Sequence, residues 1–478
     1  MTNEAYDAII IGSGAGGASV AYSLVQAGKR VLLLEKGDFL PHDCSTLDVK
    51  TVFKEGKFKN HDQWVDNHNR IFVPEEFSNV GGKTKWYGAA LLRFSPHEFE
   101  ADEEFKCLAW PISYEDMESH YQQAEEILKV QKFDNEPELQ ALIDKIVAGD
   151  HGWRTESLPL GLKKEILEDE WEAKHFDGFA SMSGYKSDSE QSIIKRIKDN
   201  PGFTILTNKP VNGFLHDEGS PGKIIGVRCS DESSFFGKAV VLAAGAMTSP
   251  RLLQDYLEQT GLDRKLPSAP VVGANFKLHL NSAMLAFQPF THHDVLRKTA
   301  MFLNDKFPHT TVQCLGWMDG EILSTQLPAA VPKFVANAMG KRAYGFFITT
   351  EDGSSPENRI ISCGGHGGLP VMDYDFSRII GSEKEHHAAI RAFENRLLHV
   401  GLAGVSKYLG LAGTAHAMGS MITGSDPAKS VVDANGKVHG MENLYIGDGS
   451  VLPRASRVNP ALTIYAWGLR LGRHLAER

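Results

Sequence analysis

The first fifty residues constrain the fold more than any other stretch. Asp7-Ala8-Ile9-Ile10-Ile11 is an apolar run that ends in Gly12-Ser13-Gly14-Ala15-Gly16-Gly17. An amphipathic stretch from Ala18 to Gly28 then leads into Val31-Leu32-Leu33-Leu34-Glu35. The order predicts strand, glycine turn, helix, strand and terminal acid. Gly12 permits the tight turn, Gly14 lets backbone approach a pyrophosphate, and Gly17 lets the helix pack on the strand. Ala15 opens the helix, whose N-terminus faces the phosphates. Glu35, about 20 residues beyond the glycines, is placed to accept hydrogen bonds from an adenosine ribose and disfavours a 2′-phosphate there. The implied ligand is a dinucleotide carrying adenosine, and this unit leaves FAD and NAD both open.

At 478 residues the chain exceeds what one core usually supports, so two domains are expected. Apolar content of 42% and charge of 23% are those of a globular protein. A net charge of −10 argues against nucleic acid or an anionic membrane as the main partner, and Lys83 and Lys85 are too few to reverse it. No run of 18 apolar residues occurs, so no membrane span is expected. The first strand starts almost at once, which leaves no room for a signal peptide and points to the cytoplasm. Cys44, Cys107, Cys229, Cys314 and Cys363 are odd in number and lack CxxC spacing. They suit reduced packing thiols rather than a disulfide frame or a metal site.

From Phe53 through Trp64 to Phe72 the chain is aromatic, charged and without period, as in a cover over a ligand or a surface excursion. Asn79-Val80-Gly81-Gly82-Lys83-Thr84-Lys85-Trp86-Tyr87-Gly88 follows, where paired glycines let backbone run close to a flat ligand. Met117, Tyr121, Ala124 and Ile127 mark a helix that is expected to leave the first domain. Residues 131–190 read only as helices and loops. Phe203-Thr204-Ile205-Leu206 and Lys223 to Arg228 suggest a hairpin or small sheet. Ala239 to Ala246 reads as a buried strand whose small-residue end, Ala244-Gly245, permits close ligand approach, and Ser249-Pro250 opens a helix. Ala283 to Phe287, Thr311 to Leu315 and Tyr344 to Ile348 predict an antiparallel sheet, one face covered and the other walling a pocket. A long helix is expected from about Ser382 to His399.

The last seventy residues carry His416-Ala417-Met418-Gly419-Ser420, Val431-Val432-Asp433, Asn443-Leu444-Tyr445-Ile446-Gly447-Asp448-Gly449-Ser450, and Val458-Asn459-Pro460-Ala461-Leu462-Thr463-Ile464. With the N-terminal unit, Gly81-Gly82 with Trp86 and Gly88, and Gly245-Ala246 with Ser249-Pro250, this ordered set resembles the glucose–methanol–choline (GMC) oxidoreductases. The resemblance implies an α/β fold, with a Rossmann-like FAD-binding domain and a second α+β substrate domain built on an antiparallel sheet. The expected division is 1–110, 190–275 and 405–478 for FAD, and 111–189 and 276–404 for substrate and connecting helices. It places Asp448 and Gly449 near the ribityl and pyrophosphate, and Asn459, Pro460, Ala461 and Leu462 beside the isoalloxazine. Gly82, Thr84, Trp86 and Gly88 join them, and Val211 matches the position whose backbone meets adenine. Covalent members carry a flavin-linked histidine where this chain has Lys85, so non-covalent FAD is implied.

The same resemblance matches His416 and Asn459 to the family's active-site pair. Oxidising an alcohol means removing the hydroxyl proton and passing the carbinol hydride to flavin N5. A neutral imidazole, unperturbed near about 6.5, suits the proton, and the Asn459 amide N–H can hold the oxygen. His439 reads as structural, and His97, His386 and His387 as surface residues. Residues 81–86 and 110–116 look most like the pyranose-oxidising, sugar-dehydrogenating branch, so a sugar or glycoside is the expected substrate. A non-sugar alcohol, or a flavin-containing lyase on the same fold, is the alternative. The electron acceptor is open among oxygen, a quinone and a protein, and so is an accessory subunit or a homo-oligomer.

Overall fold

The computed structural model describes residues 5–149, 152–318, 320–326 and 331–478. Its largest sheet is centred on Tyr6–Ile11, which runs parallel to Val31–Leu34 on one side and to Ser234–Leu242 on the other. Phe203–Leu206 extends it beyond Val31–Leu34, and Leu444–Ile446 lies parallel to Ser234–Leu242. Ile9, Ile10, Leu32, Leu33, Val240 and Val241 are fully buried, which is why these strands read as unbroken apolar runs. Ser234–Leu242 serves a third partner as well, because its first residues also pair antiparallel with Ser220–Cys229, which folds back on Val211–Asp217. Phe203–Leu206 is thus a parallel edge strand and no part of that hairpin. A four-residue apolar run has no period from which its partner could be read.

The helix Ala15–Gln26 packs on the C-terminal helix Ala461–Ala476 through a seam of small residues. A β-carbon added at Gly468 would stand 2.5 Å from the Gly16 carbonyl oxygen and 2.7 Å from Ser19 Cβ. One at Gly472 would lie 2.6 Å from Ser23 Cβ, and one at Gly16 only 1.6 Å from the Gly447 carbonyl oxygen. Glu115–Leu128 packs on the other side of the C-terminal helix, with Tyr121 OH 2.8 Å from Thr463 Oγ1. Met117, Tyr121, Ala124 and Ile127 are buried as the spacing predicts, but the helix stays with the first sheet's core.

The second sheet is antiparallel, in the order Ala403–Tyr408, Leu280–Phe287, Ala343–Thr350, Thr310–Cys314, Ala300–Asn304 and Trp153–Ser157. An expected domain boundary at 404/405 would cut its first strand, and 153–157 adds a strand where only helices and loops were expected. Val312, Cys314, Phe346 and Ile348 pack in one core with Leu139 and Ile143 of Pro137–Val147 and Phe393 and Leu397 of Ile380–His399. The alternate residues of the same strands face away from the helices, as period-2 geometry requires. His386 lies on the inward stripe of its helix with Ala389 and Phe393 and is buried, 2.9 Å from Ser282 Oγ and 2.8 Å from Thr350 Oγ1. The surface expectation therefore fails for His386, whereas His97 and His387 are exposed. A third, four-stranded sheet pairs Trp64–Asp66 and Ile71–Phe72 with Arg359–Ile361 and Val371–Asp373. Trp64 is buried there against Met372 and Phe276, so the aperiodic aromatic segment is anchored by a core of its own. Among the described residues, no helix is long and apolar enough to cross a membrane.

One buried ionic cluster ties the second sheet to residues 454–459. Glu351, at the end of Ala343–Thr350, accepts from Arg454 Nε (2.8 Å), the Ser456 backbone N–H (2.9 Å) and His309 Nδ1 (2.8 Å). Glu98 accepts from Ser456 Oγ (2.7 Å) and the Arg457 N–H (3.0 Å). Possible ligand atoms of Cys107, His309 and Glu351 lie within 4.8 Å of one another. The Glu351 and His309 side chains are committed to the ionic cluster, and burial pushes the Cys107 thiol far up, so Cys107 packs beside the ion pairs as a neutral thiol. Burial alone would raise the Glu351 carboxyl, yet hydrogen bonds from His309 and Arg454 outweigh it and hold the group at about 2.

Gly468→Ala is expected to lower the unfolding free energy by about 1–3 kcal/mol through overpacking, although alanine is otherwise favoured over glycine in a helix by about 1 kcal/mol. Urea unfolding measures the net change, and an unshifted midpoint would show that the seam opens freely. A carboxyl depressed from 4.5 to about 2 stabilises the fold above its unfolded value and loses that contribution as pH falls through the folded one. Glu351→Gln should therefore destabilise at neutral pH by about 3–5 kcal/mol, leaving Arg454 buried without its partner. The gap from wild type should narrow as pH falls from 4.5 toward about 2, read by denaturant unfolding across that range.

Candidate active site

A cavity of about 430 Å³ runs from the glycine turn to the face of the antiparallel sheet turned away from its helices. Its outer end is lined by Gly12, Gly14, Ala15, Glu35 and Val211, with Ala244 and Gly245 at the end of the strand Ser234–Leu242. The three glycines divide their work. A β-carbon at Gly12 would meet the Ala243 carbonyl oxygen at 2.3 Å, and one at Gly17 the Gly12 oxygen at 2.0 Å. One at Gly14 would meet no protein atom within 4 Å, and Gly14 lines the cavity. Gly12 also takes φ +105°, in the region glycine favours. Gly14 caps the helix Ala15–Gln26 without any side-chain hydrogen bond, so the free N–H groups of its first turn open on the cavity as an anion site. Glu35 accepts from Ser13 N–H (3.1 Å), Ser13 Oγ (2.6 Å) and Gly37 N–H (3.0 Å). Its carboxylate is fixed in place with lone-pair sites to spare.

The middle of the cavity is lined by Gly82, Thr84, Trp86 and Gly88 on one side and Asp448 and Gly449 on the other. Asp448 Oδ2 accepts from the Gly245 N–H (2.8 Å) and Ser249 Oγ (2.5 Å), and Oδ1 from the Ser450 N–H (2.9 Å). It thereby locks two separate chain turns to each other. Trp86 stacks on Phe77 with ring centroids 4.9 Å apart and donates from Nε1 to Asn79 Oδ1 at 3.0 Å, which holds the glycine segment against the cavity. Lys85 turns the other way into a buried cluster, 2.9 Å from Glu190 and 3.1 Å from Asp188. Gly88 answers a demand the sequence did not show. A β-carbon there would stand 2.1 Å from Lys298 Nζ and 2.2 Å from Asp177 Oδ1.

At the inner end His416, Asn459, Pro460 and Ala461 line the cavity together with Gln313 and Phe347. Asn459 Nδ2 lies 3.3 Å from His416 Nε2, and Asn459 Oδ1 accepts from Gln313 Nε2 at 2.7 Å. Gln313 and Phe347 are register partners on the sheet face turned away from the helices. His416 Nδ1 is 2.9 Å from His279 Nδ1, and the Phe347 ring meets His416 edge-on at 5.9 Å. Lys298 pairs with Asp177 at 2.7 Å in the same wall, and Lys83 pairs with Glu76. Burial first, and then the neighbouring His279, Lys83 and Lys298, push the His416 imidazole well below 6.5, so it is neutral around pH 7.

Of the residues expected to contact a cofactor, two stand apart from the cavity. Gly17 serves the helix–strand contact, and Leu462 is fully buried in the core behind Ala461. His439 is structural as expected, 3.1 Å from Ser430 Oγ and 3.1 Å from the Gly424 carbonyl oxygen. Gln313, Phe347, His279, Lys298 and Asp177 were not singled out. Gln313 had a signal, an amide in the middle of Thr311-Val312-Gln313-Cys314-Leu315. The Lys298–Asp177 pair had none, since its partners are 121 residues apart.

The long cavity, the uncapped helix end at Gly14 and the fixed, cavity-lining acid Glu35 fit the pyrophosphate and ribose of FAD. Residues 6–281 match the N-terminal and residues 403–468 the C-terminal family model described as GMC oxidoreductase. The 6'''-hydroxyparomomycin C oxidase of Streptomyces lividus is 26% identical over 99% of this chain and 92% of its own. The paromamine 6'-oxidase of Streptomyces fradiae is 23% identical over the same shares. The crystal structure of pyridoxine 4-oxidase from Mesorbium loti superposes with a TM-score of 0.72 at 17% identity, covering 99% of both chains. The matched regions contain both the glycine turn and the His416–Asn459 end of the cavity, and the chain belongs to the GMC oxidoreductases, FAD enzymes that oxidise alcohol groups.

Proposed function

We propose that this protein oxidises a CH–OH group on a small hydroxyl-rich ring, a sugar or glycoside, with His416 as base and Asn459 as the donor that holds the reacting oxygen. The observation that carries the reading is the inner end of the cavity, where a neutral imidazole and an oriented amide meet 3.3 Å apart. What FAD supplies there when bound is two-electron acceptance, in the form of the carbinol hydride. His416 takes the hydroxyl proton at a ring nitrogen, and the Asn459 N–H stabilises negative charge that develops on oxygen. The first sheet and its glycine turn serve FAD, and the antiparallel sheet presents Gln313 and Phe347 to substrate. Lys85, drawn into its buried ion pairs, offers the flavin no covalent link.

The polar groups at that end support a hydroxylated ring over a plain aliphatic alcohol. Gln313, Asn459 and the Asp177–Lys298 pair give several donors and acceptors around one apolar ring, Phe347. The two Streptomyces relatives, named for oxidising paromomycin-type compounds, support the same substrate class. The five cysteines are free, which suits a reducing compartment such as the cytoplasm.

Anaerobic mixing of the yellow holoenzyme with sugars, glycosides, aminoglycosides and simple alcohols tests the reading. Bleaching near ~450 nm by hydroxylated rings is expected when a flavin accepts a hydride. Bleaching by simple alcohols alone would remove the sugar assignment, and no bleaching by any alcohol would favour a lyase. Readmitted air then separates oxygen from a quinone or protein acceptor. His416→Ala should slow flavin reduction by about 10²–10⁴-fold, and Asn459→Ala by about 10²–10³-fold, with FAD content unchanged. Because His416 is shifted well below 6.5, the wild-type reduction rate should stay level from about pH 8 to about pH 6. A fall centred on 6.5 would mean that the imidazole is unshifted.

A further inference from the structure

We propose that His279 is the positioning residue that fixes the tautomer of His416, keeping its Nε2 unprotonated and turned to the cavity. His279 Nε2 lies 2.9 Å from the Ser456 carbonyl oxygen and 3.2 Å from that of Ala455. Backbone carbonyls can only accept, so the single proton of a neutral His279 ring sits on Nε2 and its Nδ1 is left with a lone pair. That lone pair is 2.9 Å from His416 Nδ1, which must therefore carry the proton of the neutral His416 ring. The lone pair of His416 is on Nε2, the atom beside Asn459 Nδ2 at 3.3 Å. Approached from the other side, Gln313 donates to Asn459 Oδ1 at 2.7 Å and so turns the Asn459 amide N–H toward that same bare nitrogen. The Gln313–Asn459 pair could invert its two amides together. The carbonyls of Ala455 and Ser456 cannot, and they set the direction of the whole chain.

The backbone supports this role. His279 is 2% exposed and held at φ +62°, and Ser456 at φ +66°, conformations that side chains other than glycine rarely adopt. Both strained residues are held by the surrounding structure. The Ser456 N–H is bound by Glu351 and its Oγ by Glu98, which fixes the carbonyls that His279 reads. His279 touches neither the reacting oxygen nor the flavin site and acts only through His416.

The proposal rests on His416 as the base, and the test reads the two ideas separately. Long-range ¹H–¹⁵N spectra of [¹⁵N]histidine-labelled holoenzyme, with His416 assigned by its loss in His416→Asn, should show protonated Nδ1 and bare Nε2. His279→Phe removes the acceptor. It should shift the His416 proton toward Nε2 and slow anaerobic flavin reduction by about 100-fold or more, as loss of a tautomer-fixing partner does elsewhere. His279→Asn keeps an accepting oxygen and a donating N–H in one amide and tolerates the left-handed backbone. It should retain the wild-type tautomer and reduce flavin within about 10-fold of wild type. A wild-type His416 protonated on Nε2, or a His279→Phe enzyme as fast as wild type, would overturn the proposal. If His279→Phe does not fold, the wild-type spectrum and His279→Asn still decide it. Unimpaired flavin reduction in His416→Asn would instead remove the base assignment, leaving the tautomer reading standing on its spectrum.

Discussion

Glu351 is the interaction on which the arrangement of the site depends. It closes the strand Ala343–Thr350 of the antiparallel sheet, and its carboxylate binds Arg454, the Ser456 backbone and His309 at once. Residues 454–459 are thereby fixed against the sheet at one end, while Asn459 leads directly into the C-terminal helix at the other. The sheet supplies Gln313 and Phe347, and the fixed loop supplies Asn459 and the carbonyls that bind His279. A buried carboxylate that satisfied only one of these partners would leave the others unpaired and the loop free to shift. A displacement of about 1 Å in a catalytic group is enough to lower a rate by about 100-fold.

The cofactor half is organised by close approach of backbones. Gly16 faces the Gly447 carbonyl, Gly468 faces Gly16, and Gly17 faces Gly12. Asp448 then joins the turn at Gly245 to the turn at Ser450 by hydrogen bonds to both. The helix end at Gly14 and the strand end at Ala244 meet along one cavity because nothing larger than glycine separates the elements that carry them. The two helices of this seam come from opposite ends of the chain, so the cofactor half is complete only when the C-terminal residues have returned.

The cofactor half was legible because its demands are local. Turn, helix and second strand lie within thirty-five residues, and Gly17 facing Gly12 and Glu35 bound to Ser13 are contacts inside that stretch. Helix Ile380–His399 and the antiparallel strands were legible from period alone, to within a few residues. His386 was misread because a polar residue beside a second histidine carries no mark of the stripe it joins, and that stripe is set by Ala389, Phe393 and Leu397. Phe203–Leu206 shares a sheet with Ser220–Cys229 but forms no hairpin with it, and the sequence left the two open because a short apolar strand looks the same in a hairpin and at a parallel edge. His279, Asp177 and Lys298 were out of reach for a stronger reason. Their partners are 121 to 177 residues distant, and only the folded sheet brings them together.

Two buried histidines show how this fold separates structural charge from catalytic basicity. Burial disfavours the cation in both. For His309 the adjacent carboxylate of Glu351 outweighs burial and raises its pKa, so the ionic tie favours the protonated ring. For His416 nothing outweighs burial, because the group beside its Nδ1 is another imidazole and the nearby charges of Lys83 and Lys298 are positive. A carboxylate in the place of His279 would orient the ring equally well, but it would also draw a proton onto it and move the base toward the protonated form at neutral pH. An imidazole tethered to two carbonyls provides the orientation without the charge. The arrangement suits an oxidation in which the base must arrive empty, and the hydroxyl proton then has one nitrogen to go to.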